Sequence, residues 1–288
     1  MDFATDPRLE VFREHRPLLF SIAYRMLGSA ADAEDIVQEA YLRWLRADQA
    51  EVRSPKDFLA ATVTRLAVDH LRSARVRREV YVGPWLPEPL MGVDQRDPIA
   101  SAELAESLST AFLVLLERLT PTQRAAYLLR EVFGYEYSDI AGMLDTSEAN
   151  CRQLVQRAKQ GIASGRPRFN RDADAAQDLA RRFLDACTTG DMDGLLALLA
   201  NDAVAWADGG GKFAAARRPV LGAEHVARFL AAVVRKWRSA GEVRVDPVNG
   251  GLGLSHHTGG RLRGVITIDA AAGRVAQVFI VVNPDKLA

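Results

Sequence analysis

Two all-α units followed by an α+β domain are the architecture this sequence predicts, and three observations carry it. Helical periodicity runs from Phe12 to Arg78 and again from Ile99 to Ile162, and a stretch dense in proline separates the two. Beyond about residue 200 the pattern changes to short alternating runs divided by glycine-rich turns. With 288 residues and 48% hydrophobic composition, the chain can bury more than one core.

The elements follow in order. In "SAADAEDIVQEAYLRWLR", Ser29 is placed to cap a helix, acids occupy its first turns where the helix dipole favours them, and Val37, Tyr41 and Trp44 recur at helical spacing. "SPKDFLAATVTRLAVDHLRSARVRR" begins with Ser54 as cap, Pro55 at the first helical position and Asp57 at the third. Three helices joined by short turns are expected here. Residues 81–98, "YVGPWLPEPLMGVDQRDP", hold four prolines and two glycines, which block helix and central strand alike and mark a linker. Thr120-Pro121 restarts a helix in the second unit by the same cap-then-proline rule. After "SGRPRFNRDADA" come two helical segments, near 175–188 and 191–199, then the runs "DAVAWA", "EVRVDPV", "RLRGVITID" and "RVAQVFIVV", with a further helix near 223–239. Their alternation predicts a curved antiparallel sheet packed on helices.

Composition excludes several classes. Thirty-seven basic and 37 acidic residues give a net charge of zero, so any nucleic-acid surface must be a local patch. Cys151 and Cys187 are the only cysteines and form no CxxC, which argues against a disulfide framework or a cysteine-rich zinc site, and no metal or cofactor is expected. The start "MDFATDPRLE" has no apolar signal region and no run reaches membrane-span length, so no membrane association and a cytoplasmic location are expected. "WADGGGKF" hints at a phosphate loop. Phe213, however, stands where the hydroxyl of a Gly-Lys-Ser/Thr end belongs, and no second glycine lies at the required distance, so a nucleotide site is not expected.

The strongest motif is "EYSDIAGMLDTSEANCRQLVQRAKQGI": a short helix, a tight turn near Leu144 to Thr146, and a longer helix capped by Ser147, the pattern of a helix-turn-helix. Cys151, Val155, Ala158 and Ile162 make one apolar stripe. Opposite it lie Arg152, Gln153, Gln156 and Gln160, side chains able to bond base edges and phosphates. Arg157, Lys159, Arg166, Arg168 and Arg171 add charge, and residues 150–171 contain no acid. Earlier in the chain, Asp32, Asp35 and Glu39 share one helix face opposite Val37, Tyr41 and Trp44.

The order "DAEDIVQEA", then "SPKDFLAATVTRLAVDHLRSARVRR", then a helix-turn-helix resembles regions 2 and 4 of a bacterial extracytoplasmic-function (ECF) sigma factor over about residues 8–168. Carried onto this sequence, the resemblance implies that Asp32, Glu34, Asp35, Gln38 and Glu39 dock on RNA polymerase core. It implies that residues 47–54 and the face carrying Arg65, Asp69, Arg72 and Arg75 capture the promoter −10 element as single strand. It further implies that Ser147, Ala149, Asn150, Arg152, Gln153, Gln156 and Arg157 read −35 DNA. Glu136 departs from the pattern: a small hydroxyl residue is expected at that cap, though an acid still suits the dipole. The implied domains are region 2 over 1–80, a linker over 81–98, region 4 over 99–168 and a further domain over 169–288.

That last domain resembles the SnoaL-like branch of the NTF2-like α+β cone, which a subgroup of these sigma factors carries at the C-terminus. Three marks of the subgroup are present: "WLPEPL" (Trp85, Leu86, Pro87, Glu88, Pro89, Leu90), "DGGGK" (Asp208, Gly209, Gly210, Gly211, Lys212) and "NPDKL" (Asn283, Pro284, Asp285, Lys286, Leu287). The glycines permit positive φ and close backbone approach, so the loop suits either a simple hairpin turn or a grip on another peptide segment. The proline-rich linker is pre-extended and offers Trp85 and Leu86 as anchors. The expectation is that the three motifs meet and that the C-terminal domain regulates in cis, with no separate anti-sigma factor required. Two alternatives stay open for this domain: a small-molecule sensor, or a cyclase- or isomerase-type enzyme with acid/base candidates Asp208, His225, His256 and His257. His256 and His257 lie next to a glycine turn and, if in a strand, take successive faces, so both cannot point inward. The chain as a whole is expected not to be an enzyme.

Overall fold

The structure is a computed structural model that describes residues 6–48, 50, 52–78, 81–92, 107–163 and 173–287. Local signals set the helix starts. Asp6 accepts from the Arg8 amide at the head of α1 (Pro7–Leu27), and Gly28 closes that helix at φ 67°. Ser29 caps α2 (Ala30–Arg46) through the Asp32 amide at 3.2 Å, and Ser54 caps α3 (Pro55–Arg78) through the Asp57 amide at 3.3 Å. Trp44 is 1% exposed; its indole N–H donates to the Arg8 carbonyl at 3.0 Å and its ring lies 5.8 Å from Phe58.

Four helices follow among the described residues: α4 (Thr110–Leu116), α5 (Pro121–Tyr127), α6 (Tyr137–Leu144) and α7 (Glu148–Ala163). Thr120 and Gln123 form a reciprocal capping box on α5, which continues into a π-helical turn, Leu128–Val132. By internal contacts the chain divides into two compact units, residues 1–77 with 116–164 and residues 78–115 with 165–288. The linker segment 81–92 and the first residues of α4 therefore belong with the C-terminal unit.

In the first unit, arginines tie α1–α3 to α5–α7, two of them buried (Arg25 and Arg124) and one exposed (Arg65). Arg124 on α5 is 3% exposed, donates to the Met26 carbonyl at 2.6 Å and pairs with Glu117 at 2.8 Å. Arg65 on α3 donates to the carbonyls of Met143 and Gly142 at 2.8 and 2.7 Å, satisfying the orphan acceptors at the end of α6. Burial pushes the Arg25 guanidinium down to about 10.

The second unit packs α8 (Ala173–Thr189), α9 (Met192–Leu198) and α10 (Ala223–Ala240) on a six-stranded sheet of β1 (Leu199–Asp208), β2 (Val220–Leu221), β3 (Glu242–Val248), β4 (Gly251–Thr258), β5 (Arg261–Ala271) and β6 (Arg274–Val281), in the order β2-β1-β6-β5-β4-β3. The glycines of β4, "GLGLSHHT", lie in an inner strand of the sheet, where a Cβ on Gly253 would crowd the Ile266 carbonyl. One feature differs from the sequence expectation: β1 runs parallel to β6 while every other pair is antiparallel. Alternation reports which face a residue takes and carries no information on strand direction.

That alternation sorts the sheet cleanly. Ala205, Ala207, Leu254, Ile266, Val278 and Ile280 join the core under the helices, while Trp206, Val265, Phe279 and Val281 face the other way, into a smaller cluster with Leu86, Ala111 and Leu287. Register shifts at His256/His257 and Asp269/Ala270 bend the strands, so the sheet curls around α10.

Candidate functional site

The helix-turn-helix is α6, a turn through Asp145 in the left-handed region at φ 51°, and α7. Ser147 caps α7 by accepting from the Asn150 amide at 3.2 Å. Cys151, Val155, Ala158 and Ile162 are buried, each at 2% exposure or less, which leaves Ser147, Ala149, Asn150, Arg152, Gln153, Gln156 and Arg157 on the exposed face. Arg152 is poised by an ion pair to Glu148 at 2.7 Å and lies over the Tyr137 ring at 5.0 Å. Lys159 pairs with Glu131 at 2.8 Å. Glu136 stands at the N-cap of α6 and makes no capping bond; its carboxylate pairs with Arg130 at 3.0 Å and raises that guanidinium's pKa. Arg166, Arg168 and Arg171 lie outside the described residues.

On α2, Glu34, Asp35 and Gln38 are exposed and Asp32 and Glu39 half-buried, a contiguous acidic face opposite buried Ile36, Val37, Ala40 and Trp44. Glu34 pairs with Arg16 at 2.6 Å, Glu39 with Arg43 at 3.0 Å, and Asp32 lies 3.5 Å from His70. Where α2 passes to α3, a cleft of about 720 Å³ is lined by Arg43, Arg46, Arg53, Asp48, Asp57 and Phe58, so three arginines and two carboxylates surround an aromatic ring. Asp69 and Arg72 are exposed and pair at 3.4 Å. Arg65, expected to meet the −10 strand, is instead committed to the α6 carbonyls, and the Arg75 side chain lies outside the description.

The second unit builds its site around one carboxylate. Asp208 is fully buried at the end of β1 on the face opposite the helices. Its Oδ1 accepts from the Tyr81 hydroxyl at 2.5 Å and the Gly210 amide at 3.0 Å; its Oδ2 accepts from the Leu86 amide at 2.9 Å and Lys286 Nζ at 2.7 Å. Lys286 also donates to the Leu86 carbonyl and lies 4.2 Å from the centroid of the Trp85 ring. Asn283 donates to the Tyr81 oxygen at 2.9 Å and caps the short 3₁₀ turn Pro284–Lys286 by accepting from the Asp285 amide at 3.1 Å. Burial and the bond to Asp208 push the Tyr81 hydroxyl pKa well up. Gly210, at φ 59°, admits no side chain: a Cβ there would collide with the Asn283 amide. At the surface Lys212 pairs with Asp285 at 2.6 Å. Gly209 is buried, Gly211 exposed beside Val82, Leu86, Pro87 and Leu287 buried, and Glu88, Pro89 and Leu90 half-buried.

A second hold on the linker has no counterpart among the sequence expectations. The Asn249 side-chain oxygen accepts from the Leu90 amide at 2.6 Å, the Asn249 amide donates to the Leu90 carbonyl at 3.0 Å, and Met91 bridges Val248 in antiparallel fashion. Further on, Thr267 Oγ1 donates to Thr110 Oγ1 at 3.0 Å. Asn249 sits at φ 51° in the β3–β4 turn, and "NGG" is the one sequence signal that points to it. Of the acid/base candidates, His256 is buried and stacked on Trp237 with centroids 5.2 Å apart. His257 points to the other face, 3.0 Å from Ser255 Oγ, and His225 is exposed.

Comparison with known proteins places this geometry. Residues 11–77 match Sigma-70 region 2 and residues 109–160 match Sigma-70, region 4. The ECF RNA polymerase sigma factor SigJ of Mycobacterium tuberculosis is 39% identical, the alignment covering 96% of this chain and 91% of SigJ. This chain belongs to the ECF sigma factors. SigI of the same organism is 32% identical over 98% of this chain and 95% of its own, and the crystal structure of SigJ aligns with a TM-score of 0.77 at 36% identity over 96% and 97% of the two chains. The ECF sigma factor described here therefore directs RNA polymerase to promoters and initiates transcription, and its C-terminal region is an α+β domain built on a six-stranded sheet. Among the described residues, no helix is long and apolar enough to cross a membrane and no cluster of His, Cys, Asp or Glu could hold a metal ion.

Proposed function

We propose that this sigma factor is regulated in cis by its C-terminal domain, which restrains the segment joining regions 2 and 4. The observation that carries the reading is the donor set of Asp208: two of its four hydrogen bonds come from Tyr81 and Leu86 of the linker. Regions 2 and 4 have to spread to reach −10 and −35 DNA on polymerase, and the segment between them has to be free for that. A hold on that segment biases the chain toward a restrained state, and a coupling of about 1–3 kcal/mol shifts open-state occupancy roughly 5- to 150-fold.

Within this reading, α7 reads the −35 duplex with Ser147, Ala149, Asn150, Arg152, Gln153, Gln156 and Arg157, and the acidic face of α2 docks on polymerase. The Arg43, Arg46, Arg53 and Phe58 cleft takes an unstacked base of the −10 strand, because it joins cations to an aromatic platform. Arg65 leaves the α6 carbonyls when regions 2 and 4 separate, so −10 capture and opening are linked. The factor acts in the cytoplasm without a separate anti-sigma partner. Asp208 acts as a structural anchor and not as a general acid or base, since it is saturated by structural donors and turned away from the helix-covered face.

Run-off transcription with core polymerase tests the reading, comparing the full chain with chains ending at Arg168 and at Val282. Output from the three should differ, with the chain ending at Val282 missing Lys286 and behaving as a released state. Equal output from all three removes the regulatory role.

A further inference from the structure

Between α10 and the concave face of the sheet lies a cavity of about 530 Å³, a volume typical of small-ligand sites. Its walls are aromatic and aliphatic: Phe229, Val233 and Trp237 from α10, with Ile280 on β6 and Val282 just beyond it. His256 is buried there, and its ring lies nearly parallel to that of Trp237, at 10°. Burial, then the neighbouring charge of His257, lowers the His256 pKa, so at neutral pH it presents an uncharged ring. Two charged side chains line the cavity, Lys236 and Arg263, both cationic, both exposed and neither in an ion pair among the described residues. Lys236 stands over the Phe213 ring at 5.7 Å, and that ring is 51% exposed at the mouth.

We propose that this cavity binds a small ring-bearing organic acid, its apolar body between Trp237, His256 and Phe229 and its carboxylate toward Lys236 and Arg263, and that occupancy is transmitted to the linker. The chemistry follows from the lining. An apolar slot with a stacked aromatic pair favours a planar body, and two cations with no carboxylate among the lining residues select an anion over a cation or a neutral polar group.

Transmission follows from shared residues. Ala207 lines the cavity, and the next residue, Asp208, holds Leu86 on the opposite face of the same strand. Leu287 lines the cavity and also packs in the cluster that buries Leu86. Pro284 lines it too, at the start of the turn that carries Lys286. A ligand that displaces Leu287 or Pro284 therefore moves the residue that donates to both Asp208 and the Leu86 carbonyl. This step rests on the cis-regulatory reading above; the binding step does not.

The probe is 2-naphthoate, with 2-naphthamide as its uncharged counterpart, titrated into the full chain by calorimetry. The acid should bind at least about tenfold more tightly than the amide, the scale of one charge-assisted contact. Lys236→Glu and Arg263→Glu should each weaken the acid several-fold and leave the amide unchanged, and Ala216→Trp, which fills the cavity, should abolish both while unfolding at the same denaturant concentration as the parent. Failure of the parent chain to bind either compound overturns the site, and equal affinity for acid and amide overturns the anion assignment. Saturating 2-naphthoate should change hydrogen exchange at the Leu86 and Leu90 amides at least about threefold; binding without that change overturns the transmission. An Asp208→Asn chain separates the two readings: it should still bind 2-naphthoate, its affinity shifted by no more than the coupling of about threefold, while its Leu86 exchange no longer responds. If transcription is also indifferent to Asp208→Asn, the regulatory reading falls and the ligand site stands.

Discussion

Asp208 is fully buried, and the ammonium of Lys286 stands 2.7 Å from its Oδ2. A buried charge pair of this kind persists only where the remaining lone pairs and protons are also satisfied. Here Tyr81, Leu86 and Gly210 take the other acceptor positions of the carboxylate, and the Leu86 carbonyl takes a second proton of the lysine. The linker thus completes a pair that would otherwise be a liability, which couples the position of residues 81–86 to the stability of the second unit.

Removing one partner should expose that coupling. Asp208→Asn leaves the half-buried Lys286 without a counter-charge and turns one acceptor into a donor, and Lys286→Met leaves the fully buried carboxylate without its cation, so each should cost about 3–5 kcal/mol or somewhat less. The double variant should cost less than the sum of the two, by about 0.5–3 kcal/mol in a double-mutant cycle. Lys212→Ala, which breaks an exposed bridge to Asp285, should cost under about 1 kcal/mol. Urea unfolding measures all four; additive single effects would mean that Asp208 and Lys286 act independently.

Replacing Arg152 and Gln153 with alanine should reduce −35 discrimination by about 1–3 kcal/mol for each good base-edge hydrogen-bonding pair removed. Both side chains are exposed on α7, and the Arg152 pair with Glu148 is a solvent-facing bridge whose removal costs little stability. Competition binding with promoter variants reads this, beside a pull-down on core polymerase that should not change. A double variant that loses polymerase but keeps −35 selectivity would reverse the assignment.

Charge reversal at Asp32, Asp35 and Glu39 should weaken the grip on core polymerase and leave promoter preference alone. Asp35 is exposed and forms no ion pair among the described residues, whereas Asp32 and Glu39 face His70 and Arg43. Asp35→Lys should therefore have the largest single effect on affinity with the smallest effect on folding. Unchanged affinity in the triple variant would take the acidic face out of the interface.

What was legible in the sequence is what depends on neighbours in sequence. Ser54 with Pro55, Thr120 with Pro121, and the stripe Cys151, Val155, Ala158 and Ile162 each declare a helix within one or two turns. The three linker and loop motifs could be singled out as a set, but not their bonding. Tyr81 and Asp208 are 127 residues apart, Leu90 and Asn249 are 159 apart, and no local pattern records such a pair. Arg65 sits on an exposed helical face where a DNA contact was expected, yet it reaches the carbonyl end of α6, because orphan acceptors at a helix terminus attract whichever guanidinium lies within reach. The parallel pairing of β1 with β6 was hidden for a related reason: the intervening β2, α10 and β3–β5 decide direction, and each is itself locally unremarkable.

His256 supplies the pH test. Its pKa is lowered chiefly by burial and next by the charge of His257, with a hydrogen bond to the Trp237 backbone acting the other way; its Nε2 lies 3.4 Å from Thr258 Oγ1. Because the ring is harder to protonate folded than unfolded, the unfolded chain takes up the proton first as pH falls. The stability that His256 contributes in its neutral form is therefore complete above its ordinary value of 6.5 and is lost progressively as pH drops from there toward the lowered folded value. Urea midpoints of the second unit should fall over that window in the parent chain. In a His256→Gln chain they should fall by less, because a side chain that never takes a proton removes this slope while the other groups keep theirs. An NMR titration that finds the His256 ring protonating at or above the ordinary value would contradict a neutral imidazole in the cavity wall, and with it the stacked apolar surface against Trp237.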